Sequence, residues 1–284
     1  MSNEYGGNAP LSYNKYLRVR DLIGLQGCLS DPVHHDELLF ITIHQAYELW
    51  FKQILHEIDA ASAAMREDRA PSAARALGRV VEIEKLLVTQ IHILETMTPI
   101  SFLGFRDQLN PASGFQSMQF REIEFASGLK DEVVLRAFRD DEFASARLRA
   151  RWDAPTLGEE FFALLARRGL DAPPDDPQDE DGERRHARRV RAALEVVTHF
   201  ESRYEEFQLS EALIAHDEFF SLWRYHHVKM VERMLGTKPG TGGSEGVGYL
   251  RTTLDKKFFP ELWEARTHLD SKHGASGCPF TGHT

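Results

Sequence analysis

The sequence predicts an all-α fold, and three observations carry that prediction. Apolar residues recur every three or four positions through several long stretches. No stretch shows persuasive alternation of apolar and polar residues, the pattern of a half-buried strand. Proline, glycine and acidic runs punctuate the sequence between the periodic stretches. A chain of 284 residues is long enough to bury most of its apolar surface and enclose a ligand pocket. The expected architecture is one domain, residues 11–270, of long packed helices enclosing a ligand pocket.

Residues 1–10 read as a flexible arm. From Tyr13 a helical period begins, with Tyr16, Val19 and Ile23 on one face. The clearest helix follows. Phe40, His44, Tyr47, Phe51, Ile54 and Ile58 are spaced 4, 3, 4, 3 and 4 apart, and Asp36 and Glu37 favour its N-terminus electrostatically. A third helix carries Val80, Ile83, Leu87, Ile91 and Leu94, with Pro71 in its first turn and Pro99 as a stop beyond it. After a loop through Pro111, Ser113 is expected to cap a shorter helix bearing Phe115, Met118 and Phe125. Leu157, Phe161, Phe162 and Leu165 mark another short helix. Residues 171–183, DAPPDDPQDEDGE, read as an exposed acidic loop. Val190, Leu194, Val197, Phe200 and Tyr204 resume a helix. A last long helix carries Phe220, Trp223, His227, Met230 and Met234 and ends at Gly236. An apolar stretch from Phe258 to Trp263 precedes a polar tail, residues 271–284.

Composition narrows the function. A net charge of −10 argues against nucleic acid or an anionic membrane as the main partner. No apolar run approaches the roughly 18 residues of a membrane span, and the N-terminus has no basic and apolar signal pattern. Two cysteines, Cys28 and Cys278, do not make a disulfide framework, so a reducing cytoplasm is expected. The sequence has no CxxCH, so that motif would not tether a haem, and no HExxH or paired CxxC.

Two histidines stand where the helical pattern calls for a hydrophobe. His44 and His227 each lie in the apolar stripe of a long helix. A buried imidazole needs hydrogen-bond partners or a metal. Each alone reads as a satisfied core histidine. Together, on the two clearest helices, they suit the walls of a haem pocket, one imidazole on the iron and the other facing the distal side. Periodicity does not say which is which. His34 and Asp36 form HxD, the start of a non-haem iron triad, but that triad belongs on β-strands, and a polar helix N-terminus is the alternative. Six glycines fall between Gly236 and Gly248, among them Gly240, next to Thr241. This run lacks the order of a phosphate loop, yet it offers backbone N–H groups and small hydroxyls to a polar ligand. Arg106, among apolar neighbours, is a candidate clamp for a carboxylate, with a surface salt bridge as the plainer reading.

Three stretches then carry a resemblance: HDELLFITIHQAYELWFKQ (35–53), LETMTPISFLGFRDQLNPASGFQSMQFR (94–121) and LWRYHHVKMVERMLGTKPGTGGSEGVGYL (222–250). In this order they closely resemble the tryptophan 2,3-dioxygenase family, over about Tyr13 to Trp263. The resemblance implies an all-helical homotetramer that binds haem b non-covalently and uses O2 to open the indole ring of L-tryptophan at the C2=C3 bond, giving N-formyl-L-kynurenine. It implies that His227 is the axial iron ligand and that His44 hydrogen-bonds the indole N–H, as an orienting acceptor in preference to an obligatory base. Phe40 matches a residue packing on the indole, Arg106 the carboxylate clamp, and Thr241, beside Gly240, a partner of the substrate's ammonium and carboxylate. Tyr13, Tyr16 and Leu17 match a segment closing a neighbouring subunit's pocket. Leu109 and Ser113 match pocket-lining positions. Phe102 stands where some members carry a Tyr, so that hydroxyl is missing here. A haem-binding sensor and a haem enzyme acting on another indole are the rival classes.

Overall fold

The computed structural model describes residues 11–174, 182–238 and 246–270. The expectations placed on Gly240, Thr241, Cys278, the N-terminal arm, the tail and most of the acidic loop lie outside the described residues.

The described residues form α-helices and short 3-10 turns, with no strand among them. The N-terminal stretch is two short helices, α1 (Tyr13–Tyr16) and α2 (Val19–Leu22), where the periodicity suggested one. Arg18, with φ 52° in the left-handed region, separates them. The physical reason is a missing partner surface. Tyr13, Tyr16 and Ile23 are all at least 70% exposed, and a short helix that packs on nothing is marginal.

α3 (His35–Arg66) is fixed at its start by Glu37. The Glu37 carboxylate, buried, accepts the Leu29 N–H at 2.6 Å, the Ser30 N–H at 3.0 Å and the Ser30 hydroxyl. His34 Nδ1 accepts the Asp36 N–H at 3.3 Å, so HxD here is a helix N-cap. α4 (Ala70–Leu94) carries Pro71 in its first turn, as expected. Pro99 starts α5 (Pro99–Arg106) as well as following α4. Its missing N–H costs nothing at a first turn, and Thr98 caps the helix by accepting from Ser101 N at 3.0 Å.

Two 3-10 turns follow, Asp107–Leu109 and Gly114–Gln116. Ser113 caps the second turn and not the longer helix; Ser117 caps α6 (Met118–Ser127). α7 (Glu132–Ala137) and α8 (Glu142–Asp153) were not signalled by periodicity. α8 buries only Ala144 and Leu148, too few apolar positions to make a stripe. α9 (Leu157–Arg167) starts at a reciprocal Thr156–Glu159 cap. α10 (Gly182–Thr198) begins inside the expected loop and buries Val190, Ala192, Ala193 and Val196. Phe200 lies beyond its end, and exposed Tyr204 opens the next helix, α11 (Tyr204–Leu235), capped by Gly236 at φ 60°. Ala192 and Ala193 share the buried face with Val190 and Val196, and Leu194 packs half-buried at its edge. α12 (Val247–Arg251) and α13 (Pro260–Thr267) complete the order.

α4 packs against α3 on one side and α11 on the other, while α6 and α9 pack on α3 and α10 pairs with α13. The core joins Ile54, Ile58, Leu77, Val80, Phe161 and Leu213. Phe125, Val134, Phe138, Ala144 and Leu148 form a smaller cluster that holds α7 and α8 on α6. Fully buried His216 on α11 bridges Glu84 of α4 at 2.8 Å and Ser127 of α6 at 2.9 Å. Next to it, Asp217 accepts from the Phe258 and Phe259 N–H groups and from the Trp263 indole at 2.8 Å, tying down the chain before and within α13. No single helix among the described residues is long and apolar enough to cross a membrane.

Leu77, fully buried on the central helix α4, tests this packing. Leu77→Ala is expected to cost about 2–5 kcal/mol in chemical unfolding. Val133→Ala, exposed on α7, is expected to stay within about 0.5 kcal/mol.

Candidate active site

The long helices are in contact with α4 along much of their length, and beyond it they leave a cavity of about 300 Å3 that α5, α6 and α12 help to close. Phe40, His44, Tyr47 and Phe51 line it from α3, each about one turn from the next. Trp223, His227, Met230 and Met234 line it from α11 with the same spacing. The helical stripes that predicted the fold therefore continue as the cavity walls. His44 and His227 both face this one space.

Each imidazole is held neutral. Burial pushes the His44 pKa below its ordinary value, against opposing pulls from the Phe40 carbonyl and the Glu48 charge. The surface left open on the His44 ring faces the cavity. His44 Nδ1 lies 2.7 Å from the Phe40 carbonyl oxygen one turn back. A carbonyl only accepts, so Nδ1 carries the proton and donates it. The neutral ring then presents an unprotonated Nε2, a hydrogen-bond acceptor. Burial lowers the His227 pKa to about 4, and His44 adds to the effect. The His227 ring stacks on Trp223 at 5.0 Å and 7°, which fixes its plane.

An aromatic slot stands beside His44. Phe40 lies 4.1 Å from the His44 ring centre and 5.7 Å from Phe102, nearly parallel to it, with buried Phe105 edge-on to both phenyl rings. Arg106 reaches the cavity from the last turn of α5. Gly104 lets α5 approach the α3 N-cap this closely: a Cβ there would sit 2.8 Å from His34 Cδ2.

Ser113 and Phe102 also line the cavity, as the sequence suggested. Leu109 does not; it packs on the core. Tyr13, Tyr16 and Leu17 stand exposed, away from the cavity of their own chain. Sequence reasoning missed four charged lining residues, Glu48, Arg121, Glu124 and Arg224. Glu48 accepts from the Ser117 hydroxyl at 2.6 Å and from the Gln119 amide at 2.8 Å. Their signal was present but indirect: Glu48 is one turn after His44, and Arg224 one turn before His227.

The donors fit a metal carried by an organic ligand. No group of three or more His, Cys, Asp or Glu among the described residues is arranged to hold a metal ion. A metal at the neutral His227 nitrogen must bring most of its own donors, as the four nitrogens of a porphyrin do. The cavity wall is mostly apolar, which suits a large flat macrocycle.

An all-helical scaffold with two neutral imidazoles on one apolar cavity and an arginine at its wall fits the class of helical haem enzymes. Within it, the chain belongs to the tryptophan 2,3-dioxygenase family, whose model matches residues 2–157 and 163–269. Among similar proteins, each named tryptophan 2,3-dioxygenase, one from Nocardioides sp. (strain ATCC BAA-499 / JS614) is 51% identical over 267 residues, covering 92% of this chain and 96% of its own. One from Serratia proteamaculans is 40% identical, covering 91% and 93%, and one from Bacillus cereus is 42% identical with the same coverage.

The lowered His227 pKa has a consequence for the haem-free protein. From about pH 6.5 down to about 4, the unfolded chain takes up a proton at this position that the folded chain refuses. Stability from this group is thus present above pH 6.5 and lost as pH falls through that window. Between pH 7 and 5, wild type is expected to lose about 2 kcal/mol more than His227→Leu in urea unfolding. Parallel pH profiles for the two proteins would show that His227 is not desolvated.

Proposed function

We propose that this chain catalyses the O2-dependent opening of the indole ring of L-tryptophan to N-formyl-L-kynurenine, and that it does so with non-covalent haem b held by His227. The observation that carries the reading is the pair of neutral imidazoles on facing helices, one of them with Nε2 free to accept. When bound, ferrous haem supplies the activation of O2. Everything else falls to the protein's own side chains.

His227 presents a nitrogen lone pair in a plane set by Trp223. His44 Nε2 accepts the indole N–H and so orients the ring. An imidazole with a lowered pKa is a weak base, so orientation is its role and not proton removal. Phe40 and Phe102 give the flat indole an apolar slot and exclude water. Arg106 receives the carboxylate through its planar fork, joined by Thr241 and Gly240 on the strength of the family resemblance. Phe102 brings no hydroxyl to that task, so Arg106 carries more of it.

The N-terminal segment completes another subunit's pocket in a homotetramer, in a cytoplasmic setting. What supports this is the exposure of Leu11, Tyr13, Tyr16 and Leu17, an apolar surface that no described residue of its own chain covers.

Turnover of L-tryptophan under air, with a reductant present, is the direct test. Haem binding without turnover would make the chain a sensor, and turnover of another indole alone would reassign the substrate. Arg106→Lys keeps the charge and loses the fork. It is expected to lower kcat/KM roughly ten- to a hundredfold, and an unchanged value would remove Arg106 from the site. His44→Ala is expected to keep haem and retain reduced turnover, with 1-methyltryptophan losing less than tryptophan because it has no N–H to donate. For the shared pocket, Tyr13→Ala with Leu17→Ala in one chain and Arg106→Leu in another are each expected to be nearly inactive. Mixed oligomers of the two are expected to regain activity; none returning, with subunit exchange shown by tagged co-purification, assigns each pocket to one chain.

A further inference from the structure

A buried ionic cluster on the cavity wall is unused by the roles assigned so far. Arg121 and Glu124 lie one turn apart on α6, with Arg121 Nη1 donating to Glu124 Oε2 at 2.6 Å. Arg224 on α11 donates from Nη2 to Glu124 Oε1 at 2.9 Å and from Nη1 to the Lys256 carbonyl at 3.2 Å. All three side chains are more than nine-tenths buried, and all three line the cavity. Two guanidinium groups share one carboxylate, which leaves the cluster with an excess positive charge. A buried charge without a counterion is costly.

The donor inventory shows where a counterion fits. Both oxygens of Glu124 are already taken, one by each arginine. Arg121 uses Nη1 on Glu124 and reaches the Phe115 carbonyl from Nε at 3.5 Å, the outer limit of a hydrogen bond. Its Nη2 has no protein partner among the described residues. Arg224 Nε is fully buried and has none either. The Arg121 guanidinium lies 4.4 Å over the Phe115 ring, which keeps it from swinging out to solvent. Arg224 is one turn before His227 on the same helix face, so the cluster borders the space that a macrocycle held by His227 would occupy.

We propose that Arg121, held by Glu124 and backed by Arg224, binds a propionate carboxylate of the haem. The proposal rests on the haem reading above and adds to it which end of the macrocycle meets this wall. The charge is matched: one propionate neutralises the excess cation. The geometry is matched as well, because a planar guanidinium with Glu124 on one nitrogen still offers its other edge to a second carboxylate. Glu124 thereby acts as the positioning residue that aims Arg121.

The test needs no turnover. The haem-free full-length protein is titrated with haemin and with haemin dimethyl ester, whose propionates carry no charge, and binding is read from the Soret band. Wild type is expected to bind haemin at least roughly tenfold more tightly than the ester, the scale of one charge-assisted hydrogen bond. Arg121→Gln is expected to weaken haemin and leave the ester nearly unchanged, closing the gap, while Arg121→Lys retains part of it. Equal affinity of wild type for both compounds overturns the proposal without any variant having to fold, and leaves the haem reading intact. Equal loss of both compounds in Arg121→Gln also overturns it, since that is the result of a structural role. Binding of neither compound by wild type overturns the proposal and the haem reading together.

Discussion

The site depends on one buried contact far from its chemistry, the chain Glu84–His216–Ser127. It joins α4, α11 and α6 where no water competes. Its three members are almost wholly buried, so breaking any one leaves polar atoms that nothing else can satisfy. That cost holds α11 in one register against α4. His227 lies three turns further along α11, and its position in the cavity is set by that register. Asp217 extends the same lock to Phe258, Phe259 and Trp263. The constellation has the residue types of a hydrolytic triad, but full burial assigns it to architecture.

The same desolvation that makes this lock strong tunes the histidines of the site. Burial removes the stabilisation of an imidazolium, and both rings stay neutral. Neutrality is what a metal ligand and a hydrogen-bond acceptor each require. The two imidazoles still differ because their neighbours differ. His44 has its proton pinned on Nδ1 by a backbone carbonyl, while His227 has its plane set by an indole face. At the cavity wall Arg121, Glu124 and Arg224 hold one another, while Glu48 is held by the neutral groups of Ser117 and Gln119.

The long helices were legible because each buries a continuous stripe, and the same stripes displayed His44 and His227. What escaped was structure with little or no apolar period. α8 packs through Ala144 and Leu148 alone, and α10, expected from its valines and Leu194, starts earlier and stops sooner than the stripe suggested because Ala192 and Ala193, which read as neutral in a hydropathy pattern, share its buried face. The break between α1 and α2 depends on the lack of a packing surface, which no local pattern encodes. Pro99 was read as a stop, because a proline after a helix looks the same as one in the first turn of the next. Arg121 and Glu124 were passed over because a charged pair one turn apart on a helix ordinarily faces solvent. Leu109 rests on the family resemblance alone, and its half-buried side chain packs on the core.

Gly104 gives the site an unusual mechanical property. His34 belongs to the cap of α3, and Gly104 lies two residues from both Phe102 and Arg106 on α5. With no Cβ between them, the two helices meet as rigid bodies with an imidazole as the spacer. Phe40 and His44 on α3 and Phe102 and Arg106 on α5 therefore share one fulcrum. The spacing between the two walls is thus set by the bare backbone of Gly104 against one edge of the His34 ring, a contact made by two residues that do not line the cavity themselves.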